Sequence, residues 1–503
     1  MKQYVGGARL WGALVVAEQT GRHAAMRAAV PVAISVALCA MSVSFAGSAM
    51  AASEKKEAKA KVSKSQQAVK AADSQSSDRS SDSAMGLVPS TSGTVAAQSV
   101  WHTLKGPAAQ AFSDLIEDFN RQHPGQALAV RGFASSEALL AELKTKQGRS
   151  DAPLWVQWPA GSPDALYSQF KNNAFENVQD FLSDRGTAAV QQASMAATAA
   201  FRNAKGKWVA LPLTAAVPVV MYRADAFEKA GLPVTTQFAD WKDLQNAAWR
   251  MRETGNACGI ASPYPSWVHV ENMSGWHSQP VTTRNDGEDG KAGQYSYNAL
   301  PQVRHMALIM SWVKSDLVFN GSSEQALQAW ADGRCSILLG PSTAFGDLPE
   351  AVRQKVVVAP MPLWSEVSPS QGKLFPNGDG LYLMRPVTKE QKEAAATFAN
   401  HWFKSDVAAR WHQKTGAVPL TPEAELVTRR AGFYERIPGW GVISAKLAQV
   451  KSAIVKPFQF AKRQDVLNAG DKEIQSAFVS GKAAKSVLDD SVRSANEIAA
   501  KSD

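Results

Sequence analysis

The chain has 503 residues, of which 45% are hydrophobic, enough for a large core spread over two or three globular units. Its formal charge of +9 raises the question of a nucleic-acid or membrane partner. Several of the basic residues lie in the first 70 positions and the rest mix with Asp and Glu along helical stretches, so no basic stripe forms and nucleic acid is excluded as a partner.

Arg22, His23 and Arg27 precede an apolar run from Ala28 to Phe45, and Ala49-Met50-Ala51 then offers small residues at cleavage positions. This order reads as an export signal over residues 1–51 with cleavage after Ala51; the run is short for a membrane span and contains Pro31, Ser35, Ser42 and Ser44. Residues 52–98 are Ala, Ser, Lys, Gln and Asp with almost no large apolar side chain, a composition that cannot build a core and reads as a disordered tether.

Order is expected from Val100-Trp101-His102-Thr103. Ala108, Phe112, Leu115, Ile116 and Phe119 then repeat at three- and four-residue steps, predicting a helix that Pro124-Gly125 stops. A strand over 128–133, a helix over 137–146 and a strand over 154–158 follow. This alternation of strand and helix implies parallel sheets wrapped by helices. Further on, Asp240 caps a helix that Gly255 ends, a helix over 324–331 precedes a strand over 336–339, and Thr388 and Gln391 form a capping-box pair ahead of 394–403. The last hundred residues read as mostly helical.

Removing the signal also removes Cys39 and leaves Cys258 and Cys335 as a pair in an oxidising compartment, where a disulfide and two buried free thiols are both open readings. No G-x-S-x-G, G-x-x-x-x-G-K-[ST], H-E-x-x-H or G-x-G-x-x-G occurs, and the histidines lack metal-ligand spacing, so no enzyme activity, cofactor or metal is expected. Tryptophan stands out, with 15 against 8 tyrosines. Trp158, Tyr264, Trp267 and Trp276 sit near Pro, Gly and Ser, where loops facing a cleft would be, and aromatic faces suit the apolar side of a polyol or a cation.

MYRADAFEKAGLP from Met221, CGIASPYPSWVHVEN from Cys258, WHQKTGAVPLT from Trp411 and GFYERIPG from Gly432 come in a recognisable order. They resemble the periplasmic sn-glycerol-3-phosphate-binding proteins of ATP-binding-cassette (ABC) importers, from Val100 to the final helices. The resemblance implies an α/β, two-lobed solute-binding fold with a cleft between lobes, lobe 1 being 99–216 with 357–384 and lobe 2 being 217–356 with 385–503. It implies a periplasmic monomer that captures a polyol, glycerol phosphate or glycerophosphodiester and hands it to the importer's transmembrane subunits and their ATPase. Both cysteines match positions where the family carries cysteine.

The family's ligand side chains are largely replaced. Its binding tyrosine falls on Ser136, its glutamate on Ala160, its serines on Ala216 and on Pro341 beside Ser342, its second tyrosine on Ala417, and its arginine on Leu467 with Arg463 close by. Gly378 is kept, and the stacking pair survives as Tyr264 and Trp267. The expected ligand set is therefore Ser136, Trp158, Tyr264, Trp267, Ser342, Gly378 and Arg463. Gly378 is expected to admit backbone donors close to the ligand, and truncating Trp267 to weaken binding while sparing the empty protein. A scaffold protein that kept this fold and lost its ligand is the alternative reading.

Overall fold

The computed structural model describes residues 98–501, apart from 150, 161–165, 171–173, 186–188, 204, 235–236, 287–288, 290–292, 369–371, 387 and 450–461. The expected signal peptide and all but the last residue of the tether lie outside the described residues. Two sheets organise the rest. The first runs β2-β1-β3-β9-β4, with β1 Gln98–His102, β2 Leu128–Gly132, β3 Trp155–Pro159, β4 Ala210–Pro212 and β9 Asp379–Leu383. The second runs β6-β7-β5-β8, with β5 Pro218–Arg223, β6 Cys258–Ala261, β7 Cys335–Pro341 and β8 Val356–Ala359. β1 pairs parallel with β2 and β3, and β6 with β7, whereas β9 and β5 run antiparallel to their neighbours, so the sheets are mixed, which corrects the parallel sheets that the alternation of strand and helix implied.

Local sequence explains the helices. In α1 (Gly106–Gln122) Pro107 occupies the first turn, where its missing N–H costs nothing, and Ala108, Phe112, Leu115, Ile116 and Phe119 form the buried stripe. The helix α2 (Ser136–Lys146) is capped by Ser135, whose hydroxyl accepts from Ala138 N. Asp240 caps α3 (Trp241–Glu253) by accepting from Lys242 N and Asp243 N. Two capping boxes follow: Ser322 with Gln325 starts α4 (Ser323–Ala331), and Thr388 with Gln391 starts α5 (Lys389–Trp402).

The chain passes from the first sheet to the second between β4 and β5, near Ala216 as the sequence implies. The later boundaries need correction. β8 pairs with β5, so residues 356–359 belong to the second lobe, and the return to the first sheet comes between β8 and β9. The helices after Leu383 also stay with the first lobe: Phe398 of α5 packs on Phe119 and Trp155, and Trp411 of α6 (Ser405–Thr415) packs on Phe112. Trp402 and Trp411 donate their indole N–H groups to Pro212 O at 3.0 Å and Leu213 O at 2.6 Å, which fixes both helices against the end of β4. The chain turns toward the second lobe after Gly416, where Phe433 and Trp440 pack edge-on against Phe345. Assigning 385–503 wholly to lobe 2 missed this because helical periodicity says which face is buried, not which sheet buries it.

Cys258 and Cys335 are directly opposed on β6 and β7 and are bridged. The bridge closes a sequence separation of 77 residues, a constraint on the unfolded chain of about 4 kcal/mol in the loop-entropy account. Thiol labelling of the denatured, unreduced exported protein should find neither cysteine free. Replacing both by Ala should lower stability by about 2–5 kcal/mol in urea unfolding.

Candidate functional site

The second passage between the sheets, Phe375 to Asp379, is tied on both sides. From the second lobe, Trp267 Nε1 donates to Phe375 O at 2.8 Å, and Asn272 donates to the same oxygen at 3.2 Å while accepting from Phe375 N at 3.0 Å. Arg463 Nη2 donates to Pro376 O at 3.3 Å. From the first lobe, Ala160 N donates to Gly378 O at 2.7 Å, and Asp379 N donates to Thr214 Oγ1 at 2.8 Å. Ala216 and Asn377 exchange backbone bonds between the two crossing segments. Gly378 has φ 128°, and a Cβ there would lie 2.0 Å from Thr214 O. The glycine is thus required by the close approach of the two crossings.

On the second lobe, β6 leads through Ser262 to Pro265 into a fully buried π-helical stretch, Ser266–Asn272. Tyr264 precedes it with φ 54°, a strained conformation for an aromatic residue, and stays 38% exposed. Its amide donates to Ser323 Oγ at 2.8 Å at the start of α4. Burial among neighbouring groups pushes its phenol up to about 12, aided by the carboxylates of Asp379, Asp471, Asp347 and Glu324. Ser266 N donates to Asp471 Oδ1 at 2.8 Å, and burial raises Asp471 to about 7 and Asp347 to about 6. Burial also raises Asp379, against the opposing bond from Gln157. At the rim, Lys105 beside α1 reaches Glu324 of α4 at 3.9 Å, an exposed ion pair spanning the lobes.

Behind this wall runs a directional hydrogen-bond chain. Trp364 Nε1 can only donate and does so to His305 Nδ1 at 3.2 Å; His305 Nε2 then donates to His269 Nδ1 at 3.1 Å. His269 Nε2 in turn donates to Ser262 Oγ at 2.7 Å, and that hydroxyl to Leu339 O at 3.2 Å. Only neutral imidazoles fit this sequence. Burial holds His269 down to about 3 and His305 well below its ordinary value.

The expected ligand residues fall in separate places. Trp267, Gly378 and Arg463 lie on or against the crossing, and Tyr264 precedes the π-helical stretch that carries Trp267. Trp158 on β3 lies opposite Gly380 in register, half-buried, with its indole N–H unpartnered among the described residues. Ser342 is buried, with its hydroxyl accepting from Val217 N at 3.4 Å, and so serves the first crossing. Ser136 opens α2 and makes no hydrogen bond to either wall among the described residues. Trp267 is 3% exposed and bonded into the crossing, so the expectation that its removal spares the empty protein is corrected. Arg463 is fully buried, pairing with Glu271 through Nε at 2.7 Å and Nη2 at 2.5 Å. Asp379, Asp471 and Gln157 were not foreseen: they meet their partners across 222 and 205 residues of sequence, and no spacing signals that.

The family model described as bacterial extracellular solute-binding protein matches residues 114–434. A sn-glycerol-3-phosphate-binding periplasmic protein UgpB from Yersinia pestis bv. Antiqua is 26% identical over 399 residues, covering 78% of this chain and 90% of the relative. Among solved structures, maltose-bound MalE3 of T. maritima superposes with a TM-score of 0.62 at 15% identity, covering 80% of this chain and 99% of that one. UgpB from Mycobacterium tuberculosis in complex with glycerophosphocholine gives 0.62 at 14% identity, with coverage of 81% and 98%. These likenesses show the two-lobed fold.

Two outcomes follow from the geometry. Trp267→Ala should cost the empty protein about 3–5 kcal/mol in urea unfolding, as for a buried large-to-small change, with Trp267→Phe costing less; an unchanged midpoint would contradict its tie to Phe375. The second concerns pH. His269 is held near 3 and His102 and His412 near 4, below the ordinary 6.5, so the unfolded chain takes up protons first as pH falls. The stability these groups contribute is complete above about pH 6.5 and is lost as pH falls toward 4. Raised carboxylates act in the opposite sense, so Asp471→Asn should steepen the loss between pH 7 and 5 in thermal melts.

Proposed function

Because the chain belongs to the bacterial extracellular solute-binding protein family, we infer that its cleft receives a small hydroxyl-rich solute, a polyol, sugar or glycerophosphodiester, and not a phosphate monoester. The protein is the solute-binding component of an ABC importer. In this reading it works in the periplasm, delivers its solute to the importer's transmembrane subunits and their ATPase, and performs no chemistry on it.

The carrying observation is the charge of the cleft. Asp471 accepts from Ser266 N two residues from Tyr264 and Asp379 ends the crossing, while Arg463, the arginine beside the crossing, is taken by Glu271 through two bonds. A phosphate monoester needs several charge-assisted donors. Here it would meet carboxylates instead. Hydroxyl groups can donate to those carboxylates, and the exposed face of Tyr264 can cover the apolar side of a polyol or the quaternary ammonium of a phosphodiester headgroup. Trp158 supplies a second aromatic surface from the first lobe.

Thermal melts with ribitol, maltose, glycerophosphocholine and glycerol 3-phosphate test this. A solute at a hundred times its dissociation constant should stabilise the protein by about 2.7 kcal/mol. Glycerol 3-phosphate should do no better than ribitol. Tight, salt-sensitive binding of glycerol 3-phosphate would overturn the solute class, and no stabilisation by any of the four would favour a scaffold that lost its ligand.

A further inference from the structure

Beside the buried ion pair lies a small recess lined by Ser266, Glu271, Tyr295, Tyr297, Arg463 and Leu467. It offers about 20 Å³ to water-sized groups. A single water needs about 10–15 Å³ on that measure, so the recess holds one oxygen-bearing group and is too small for a tetrahedral phosphate with its four oxygens. We propose that it is a hydroxyl subsite of the cleft, taking one uncharged hydroxymethyl end of the solute and bonding its oxygen through Arg463 Nη1.

Three observations lead there. Arg463 is 1% exposed; its Nε and Nη2 are committed to Glu271 and Pro376 O, while Nη1 is buried with no partner among the described residues. A buried guanidinium N–H without an acceptor is costly, so the recess calls for an oxygen. Glu271 cancels the charge of Arg463, and the remaining walls are largely apolar. An anion entering would gain no net attraction and would face a carboxylate, whereas a neutral hydroxyl supplies the missing acceptor without a charge to desolvate. The recess also adjoins the crossing and the π-helical stretch. Ser266 stands between Tyr264 and Trp267, and Pro376, which Arg463 holds, lies two residues before Gly378. The inference rests on the reading that the cleft takes a hydroxyl-rich solute.

The test is ¹⁵N spectroscopy of the arginine side chains of the exported protein, with Arg463 assigned through Arg463→Lys, during titration with glycerol and separately with inorganic phosphate. Glycerol should shift the Arg463 guanidinium signals saturably, leave those of half-buried Arg202 unmoved, and lose its effect in Leu467→Trp, which fills the recess. Phosphate should leave Arg463 unmoved. In calorimetry Leu467→Trp should weaken ribitol binding at least tenfold. The subsite is overturned if glycerol leaves Arg463 unmoved in the wild type, if phosphate moves it, or if Leu467→Trp responds to glycerol like the wild type. Should Leu467→Trp fail to fold, the comparison of glycerol with phosphate on the wild type still decides. A glycerol-dependent Arg463 signal in a protein that binds neither ribitol nor maltose would uphold the subsite while overturning the proposed solute class.

Discussion

The structure depends on how the crossing segment Phe375 to Asp379 is held. Its carbonyl and amide groups are shared between lobes: Phe375 O and Pro376 O accept from the second, and Gly378 O accepts from the first. Backbone polar groups in a narrow interface must be paired, and here the first two residues are paired to the second lobe, the last two to the first, and Asn377 between them to Ala216 of the other crossing. Each lobe thereby grips one end of the same segment. Only glycine fits where the two crossings touch, since a Cβ at Gly378 would overlap Thr214 O.

The second lobe needs a stiff wall to hold its side of this strand. That wall is the π-helical stretch, where Trp267, Asn272 and Glu271 reach the crossing directly or through Arg463, and where His269 anchors the back of the stretch through Ser262 to Leu339 O on β7. Burying the pair Glu271 and Arg463 is weak evidence for net stability, because desolvation offsets most of the attraction. Its worth is geometric: a bidentate carboxylate fixes the guanidinium plane, which directs Nη2 to Pro376 O and leaves Nη1 without a partner among the described residues.

The sequence made legible whatever depends on neighbours along the chain. Asp240, Thr388 with Gln391, and the stripe from Ala108 to Phe119 act over three or four residues, and each appears as read. The alternation of elements implied parallel sheets wrapped by helices, of which the helical wrapping held and the parallel pairing only in part, and the collinear motifs implied the two-lobed fold. Which lobe owned the helices after Leu383 was not legible, because that is decided by Trp402 and Trp411 bonding to Pro212 and Leu213 some 190 residues earlier. The site was legible in part. Tyr264 and Trp267 were found by their setting among prolines, but one is strained and exposed while the other is a structural tie, a division that residue type does not reveal. Asp471 and Asp379 carry no local pattern at all.

Those two acids connect stability to function. A carboxylate whose folded value is raised binds its proton more tightly in the native state than in the unfolded chain, so stability falls as pH rises from about 4 toward that raised value. At neutral pH the empty cleft therefore keeps ionisable groups in surroundings that disfavour their charge, beside a tyrosine in a strained conformation and an unsatisfied guanidinium N–H. A hydroxyl-rich solute removes the same costs, by donating to the carboxylates and accepting from Arg463, so part of the binding free energy comes from relieving strain already present in the empty protein.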